Sequence, residues 1–297
     1  MGLSLGIGLA LAFGAFTVFH AVGGFGDPPA PVSLGAFVAV PGARLDYAEP
    51  GEFTRDGRAA PAPKRGLDIP GFDIMNRQVS AAAYAACTAA KACPPAIAGP
   101  TDLAPSEDLP AVGVSWIGAE AFARWLSRRT GETYRLPSDP EWALAAGNRY
   151  RGDILPVDPD DPSKTWLARY ADETEETAGE LAQALAQPAG SFGTNDKGLA
   201  DIGGNVWEWT DACFTRTPLD VTGPVAGGAA PNCGLRLVEG RHRAFIPDFV
   251  GDAKGTGCSA GIPPSNLGFR LIRERRRGLF DRLGPFFGSL FAPFFRA

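Results

Sequence analysis

A chain of 297 residues with 45% hydrophobic and 21% charged side chains can bury a sizeable core, as one large domain or two small ones. A formal charge of -5 and an isoelectric point near 5.2 argue against a general nucleic-acid binder, which needs a basic surface. The 38 glycines and 27 prolines point to a loop-rich fold, and no repeat of fixed period is present.

Residues 1–26 read as a signal peptide or membrane anchor. No side chain from Gly2 to Phe25 is charged, and Leu3 to Val22 is an apolar run of about the length that spans a bilayer. A Pro-rich linker follows at 27–35, which disfavours a buried core helix. Alternation over Gly35–Leu45 predicts a strand ending in a turn, residues 48–66 a surface loop, and Phe72–Met75 a short strand. Ser80 is placed to cap a helix running to about Cys87. The best helix is Trp116–Arg129, capped by Ser115 and stopped at Gly131, with Ile117, Ala121, Phe122, Trp125 and Leu126 at three- and four-residue steps. Tyr134–Leu136 predicts a strand. Ser138 and Glu141 have capping-box spacing before a helix at Pro140–Ala146. Short helices are expected at Trp166–Ala171 and Glu176–Ala186.

Five cysteines stand at 87, 93, 213, 233 and 258, none in a C-x-x-C pair, so structural zinc is not expected. Five fit an oxidising compartment with two disulfides and a spare thiol. Cys87 can close a loop with Cys93, and Cys233 can pair with Cys258, Cys213 being the rival partner. Only His20 and His242 exist, which excludes a three-histidine metal site within one chain.

The stretch from Gly198 to Thr210, GLADIGGNVWEWT, concentrates the unusual residues. Gly203-Gly204 permits a sharp turn, and Trp207 and Trp209 share one side of an extended backbone with Glu208 on the other. Asp201 and Glu208, with the carbonyls between them, can wrap a hard cation. The alternative is a tight turn with two core tryptophans and two solvated acids. Further on, Arg241, His242, Arg243 and Asp248 form a basic-polar cluster, Arg241 and Arg243 sharing one strand face. They can hold an anionic ligand or a partner's carboxylate in arginine forks, or make internal salt bridges to Glu239, Asp248 or Asp252. After 275, a basic cluster leads into a Phe-rich tail broken by Pro285 and Pro293, expected to contact a membrane or partner over 278–297.

Four motifs in order carry a resemblance: Val114-Ser115-Trp116, the run Tyr134–Trp142, the run Gly198–Thr210, and Asn266–Leu271. Over about residues 36–274 the chain resembles the formylglycine-generating enzyme, or sulfatase-modifying factor, family. The resemblance implies an α+β, loop-rich variant of the C-type lectin fold with short twisted strands. It also implies one structural calcium, held by side-chain oxygens of Asp201 and Glu208 and the carbonyls of Gly204 and Val206. Between 148 and 191 the chain departs from the pattern. Arg149-Tyr150-Arg151-Gly152-Asp153 replaces a Trp-Gly-Asp/Asn turn that contributes calcium ligands in family enzymes. The acidic stretch after it, with Asp158, Asp160 and Asp161, reads as a solvated insertion.

Family enzymes oxidise a cysteine of a client sulfatase to formylglycine with a copper ion held by two cysteines, soft ligands suited to Cu(I). Here Ala244 and Phe249 stand at about those positions. No catalytic residue is therefore assigned and copper is not expected. The expectation is a non-catalytic accessory factor in the periplasm, or anchored to the inner membrane facing it. Val238–Phe245, Asp248-Phe249 and Gly257–Gly261 are similar to accessory proteins encoded beside copper nitrite reductase, which suggests that enzyme as partner. Two alternatives stand beside this reading: an oxidase with a rearranged site such as Cys233 with Cys258, and a lectin-like ligand binder.

Overall fold

Alternating side chains at the start of the described region form two strands, β1 (Phe37–Val40) and β2 (Ala43–Ala48), around the Pro41-Gly42 turn. The computed structural model describes residues 32–97, 105–151, 161, 163–164, 167, 185–225, 228–252 and 266–275. The N-terminal apolar run, the expected helices at 166–171 and 176–186 for the most part, Cys258 and the Phe-rich tail lie outside them.

The loop expected at 48–66 is instead strand-rich: β3 (Glu52–Arg55), β4 (Arg58–Ala60) and the start of β5 (Lys64–Ile69). The signal for it was Asp56-Gly57, both at positive φ (52° and 76°), a two-residue hairpin turn of the kind that matches strand twist. β5 pairs with β2, and β6 (Phe72–Met75) pairs with β1, both antiparallel.

Capping residues set the helices. The Ser80 hydroxyl accepts the Ala83 amide at 3.2 Å to start α1 (Ala81–Ala89), and Ser115 does the same for Gly118 at the head of α2 (Trp116–Thr130). On α2, Ala119, Phe122, Ala123, Trp125 and Leu126 are buried, whereas Ile117 is 44% exposed and lies off the apolar stripe expected to include it. After β7 (Tyr134–Arg135), the Glu141 carboxylate accepts both the Ser138 amide and its hydroxyl at 2.8 Å, which fixes the first turn of α3 (Asp139–Ala146).

The remaining strands are β8 (Trp207–Pro218), β9 (Ala230–Glu239), β10 (Arg243–Pro247), β11 (Leu267–Gly268) and β12 (Ile272–Arg273). Among the described residues one sheet runs β1-β6-β12-β7 and a larger one β10-β9-β8-β3-β4, with β11 added parallel to β8. One core joins α1 and α2 to Trp209, Val238, Phe269 and Leu271. A second gathers Trp142 and the end of α3 with Ile74, Leu199, Ile202 and Ile272. The result is the expected α+β, loop-rich class.

Cys87 and Cys93 are joined by a disulfide at the end of α1. Cys233 is bonded to Cys213, not to Cys258. β8 and β9 are hydrogen-bonded neighbours, so the two sulfurs face each other across the sheet, with Cα atoms 4.6 Å apart.

Candidate functional site

Two glutamates set the geometry. Glu208 and Glu239 are direct partners across β8 and β9, so their side chains leave the sheet on one face, and both are buried. Like charges so placed repel unless each is compensated. Helix α3 lies over this face, with Trp142 above Glu208 and Asp139 above Glu239, three residues apart and hence on one helix side.

Glu208 is saturated by donors. Arg270, itself fully buried, gives it two hydrogen bonds, at 2.5 Å to Oε2 and 2.7 Å to Oε1. The Trp142 indole donates to Oε2 at 2.9 Å, and the Gln78 amide to Oε1 at 2.7 Å. A guanidinium thus supplies the positive charge that desolvating this carboxylate requires. Asp201, also buried, accepts the peptide amides of Gly190 at 2.5 Å and Phe192 at 2.8 Å. The Gly204 carbonyl accepts the Val206 amide at 2.7 Å inside the turn. Asp201, Gly203 and Asn205 hold this turn with alternate positive φ values of 56°, 74° and 61°.

The residues present therefore do not fit the calcium expected from Asp201, Gly204, Val206 and Glu208. A hard cation needs six to eight oxygens whose lone pairs face it, and here the carboxylate oxygens face N–H donors. The alternative with solvated acids fails as well, because both are buried.

Glu239 belongs to a second network. Arg243 donates to its Oε1 at 2.8 Å, to Asp139 Oδ2 at 2.9 Å and to the Ala48 carbonyl at 2.7 Å, and it also bonds the Tyr150 hydroxyl. The Tyr47 hydroxyl donates to Asp139 Oδ2. Burial, then the neighbouring Asp139, raises the Glu239 pKa well above the carboxylate range, against the pull of Arg243. Asp139 Oδ1, buried beside it, has no hydrogen-bond donor among the described residues, the arrangement in which a proton shared with Glu239 is favoured. Burial and Asp139 likewise raise the Tyr47 hydroxyl far above its usual value.

Around the rim of this network lies a cavity of about 300 Å³, lined by Arg149, Arg151, Phe192, Gly203, Gly204, Gly240 and Arg241. Its position follows from the short turn Gly240-Arg241-His242 joining β9 to β10. Gly240 is needed there, because a Cβ would come within 2.7 Å of the Trp207 ring. The His242 ring stands edge-on to Trp207 at 4.4 Å, and its Nδ1 lies 2.9 Å from the Arg243 carbonyl, which it reaches as the N–H tautomer.

The basic-polar cluster expected from sequence thus comes apart. Arg241 lines the cavity and His242 packs beside it. Arg243 does not share a strand face with Arg241 toward solvent: it begins β10 and points inward to Glu239, one of the internal partners weighed above. Asp248 follows the far end of β10, where its amide donates to Gly234 and its carbonyl accepts the Ile117 amide. Trp142, Gln78 and Arg270, the donors to Glu208, and Asp139 and Tyr47, members of the network around Glu239 and Arg243, are not evident as site residues in the sequence. The alternation in Arg149-Tyr150-Arg151, two cations flanking an aromatic, was a usable signal for the cavity wall.

The formylglycine-generating enzyme of Streptomyces coelicolor is 31% identical over 189 residues, 59% of this chain and 55% of that protein. The inactive C-alpha-formylglycine-generating enzyme 2 of Bos taurus is 31% identical over 176 residues, 54% of each chain. The matched region thus spans about half the length of these curated relatives. The solved structure of PvdO from Pseudomonas aeruginosa aligns over 80% of this chain and 94% of its own at a TM-score of 0.49 and 19% identity. A family model for the sulfatase-modifying factor enzyme 1-like domain matches residues 28–275, and the chain belongs to that family.

Proposed function

We propose that this chain is a non-catalytic member of the family, an exported accessory or binding domain rather than a formylglycine-generating oxidase. The observation that carries the reading is Ala244. At one of the two positions where family enzymes place a copper cysteine, the chain has a methyl group, 4% exposed and packed in the core beside Val238 and Ile246. The other position is Phe249, 69% exposed. A hydrocarbon side chain in place of a thiolate offers no lone pair to Cu(I). Four of the five cysteines are engaged as Cys87–Cys93 and Cys213–Cys233, which commits Cys233 to Cys213 and supports the non-catalytic reading over an oxidase built on Cys233 and Cys258. The similarity to a bovine protein described as inactive points the same way.

The test is incubation of the purified chain, with and without copper, with a Cys-x-Pro-x-Arg peptide. Mass spectrometry should find the cysteine unchanged; loss of the thiol and gain of the aldehyde would overturn the reading. The client proposed is a periplasmic metalloenzyme, copper nitrite reductase first, on the strength of the phrases around His242 and Phe249. Deletion of the chain should lower metal loading of that enzyme, and unchanged loading would remove it as client.

A further inference from the structure

We propose that the cavity beside the β9–β10 turn binds a tetrahedral oxyanion, phosphate or sulfate, either free or as the ester head of a small organic ligand. This goes beyond the non-catalytic reading and does not depend on it. Among the described residues three arginines line the cavity, and none of the described lining residues carries a carboxylate. Arg149, Arg151 and Arg241 each bring a guanidinium group to this wall. Guanidinium groups offer paired N–H donors matched to oxyanion geometry, and here they approach from two separate segments, 149–151 and 241. A planar carboxylate has two oxygens and is satisfied by one such fork, whereas a tetrahedral oxyanion presents three or four and can accept from both segments at once. Among the described residues, Arg149 reaches the carbonyls of Gly193 and Ile202, at the 3.5 Å limit of a hydrogen bond.

The wall is held from behind. Tyr150, between the two cationic residues of one segment, is bonded to Arg243. Arg241 sits in the turn whose two ends, Glu239 and Arg243, are ion-paired to each other. Both cationic segments are thus tied to the same buried network, which fixes their spacing before any ligand arrives. A cavity of about 300 Å³ is several times larger than the space a water-sized ion needs, so it leaves room for an organic body. Phe192 supplies an apolar surface for it, and Gly203, Gly204 and Gly240 keep the floor open.

Isothermal titration calorimetry of the full chain at fixed ionic strength tests this, with inorganic phosphate, inorganic sulfate, phenyl phosphate and acetate as titrants. Saturable binding of at least one tetrahedral oxyanion at millimolar concentration or below is expected, with acetate bound at least about 10-fold more weakly. Arg149→Gln and Arg241→Gln should each weaken it by about 10-fold or more. Arg55→Gln, on the exposed end of β3, should leave it unchanged, and a thermal melt of each variant reports that the fold persists. Tighter binding of phenyl phosphate than of inorganic phosphate assigns an esterified ligand; equal binding assigns the free ion. No saturable heat with any oxyanion, acetate bound as well as phosphate, or full affinity in both cavity variants would overturn the proposal. None of these outcomes bears on the peptide oxidation assay, so the two readings stand or fall separately.

Discussion

Arg270 is the residue on which the interior depends most. Its guanidinium serves Glu208 twice and also bonds the carbonyls of Met75 and Ala200, so it ties β8 to β6 and to the loop before the Gly203 turn. Arg270→Met removes the positive charge and strands a buried carboxylate, with an expected loss of about 3–5 kcal/mol in chemical denaturation. Glu208→Gln in that background removes the stranded charge and should recover part of the loss, a coupling that a double-mutant cycle measures. Trp142→Phe removes one donor to Glu208 and should cost about 1–3 kcal/mol. Glu239 predicts a pH effect of definite sign. The folded chain keeps its proton above the usual carboxylate range, whereas the unfolded chain releases it. Stability should therefore fall as pH rises from that range upward. Glu239→Gln keeps the donor toward Asp139 without the titration, so urea midpoints followed against pH should flatten in that variant.

At the level of elements, the turn between β9 and β10 carries the site. Gly240→Ala drives a methyl group into the Trp207 ring and displaces Arg241. A loss of about 1–3 kcal/mol is expected by thermal or urea unfolding. Elements of this kind were readable to different degrees. Periodicity and caps located α1, α2, α3 and β6, because Ser80, Ser115 and Ser138 act within four residues of their own position. The strands at 52–60 were not read, since Pro, Gly and charge obscured a hairpin whose only local mark is Asp56-Gly57. Of the cavity's lining, Arg241 stands out in the sequence as a ligand-binding residue, while Arg149-Tyr150-Arg151 carries a second, weaker mark. Arg243 carries the same charge two residues on, yet its direction is decided by Asp139 and Tyr150, 104 and 93 residues away. Glu208 resembles a metal ligand in the sequence for the same reason: nothing near it along the chain announces Arg270. Cation or guanidinium is a choice that spacing along a chain does not make.

Over the whole molecule, two classes of fastening hold the domain. Because the buried carboxylates are served by N–H donors, treatment with a chelator should leave the thermal midpoint where it was, and a fall would contradict the donor sets described above. Reduction should act differently. The Cys213–Cys233 link closes a separation of 20 residues and Cys87–Cys93 one of 6. On loop entropy they stabilise by about 3 and about 2 kcal/mol, so dithiothreitol should lower the midpoint and each Cys→Ser pair should reproduce its share.

The long ribbon of β8 and β9 joins these classes in one object, for the paired glutamates lie at one end of it and the sulfur link part-way along. During biosynthesis the ionic end can close wherever the chain finds itself, while the sulfur link must wait for an oxidant. The reduced chain should therefore exchange its amide protons faster near Phe214 than near Glu208, and the difference should close on oxidation.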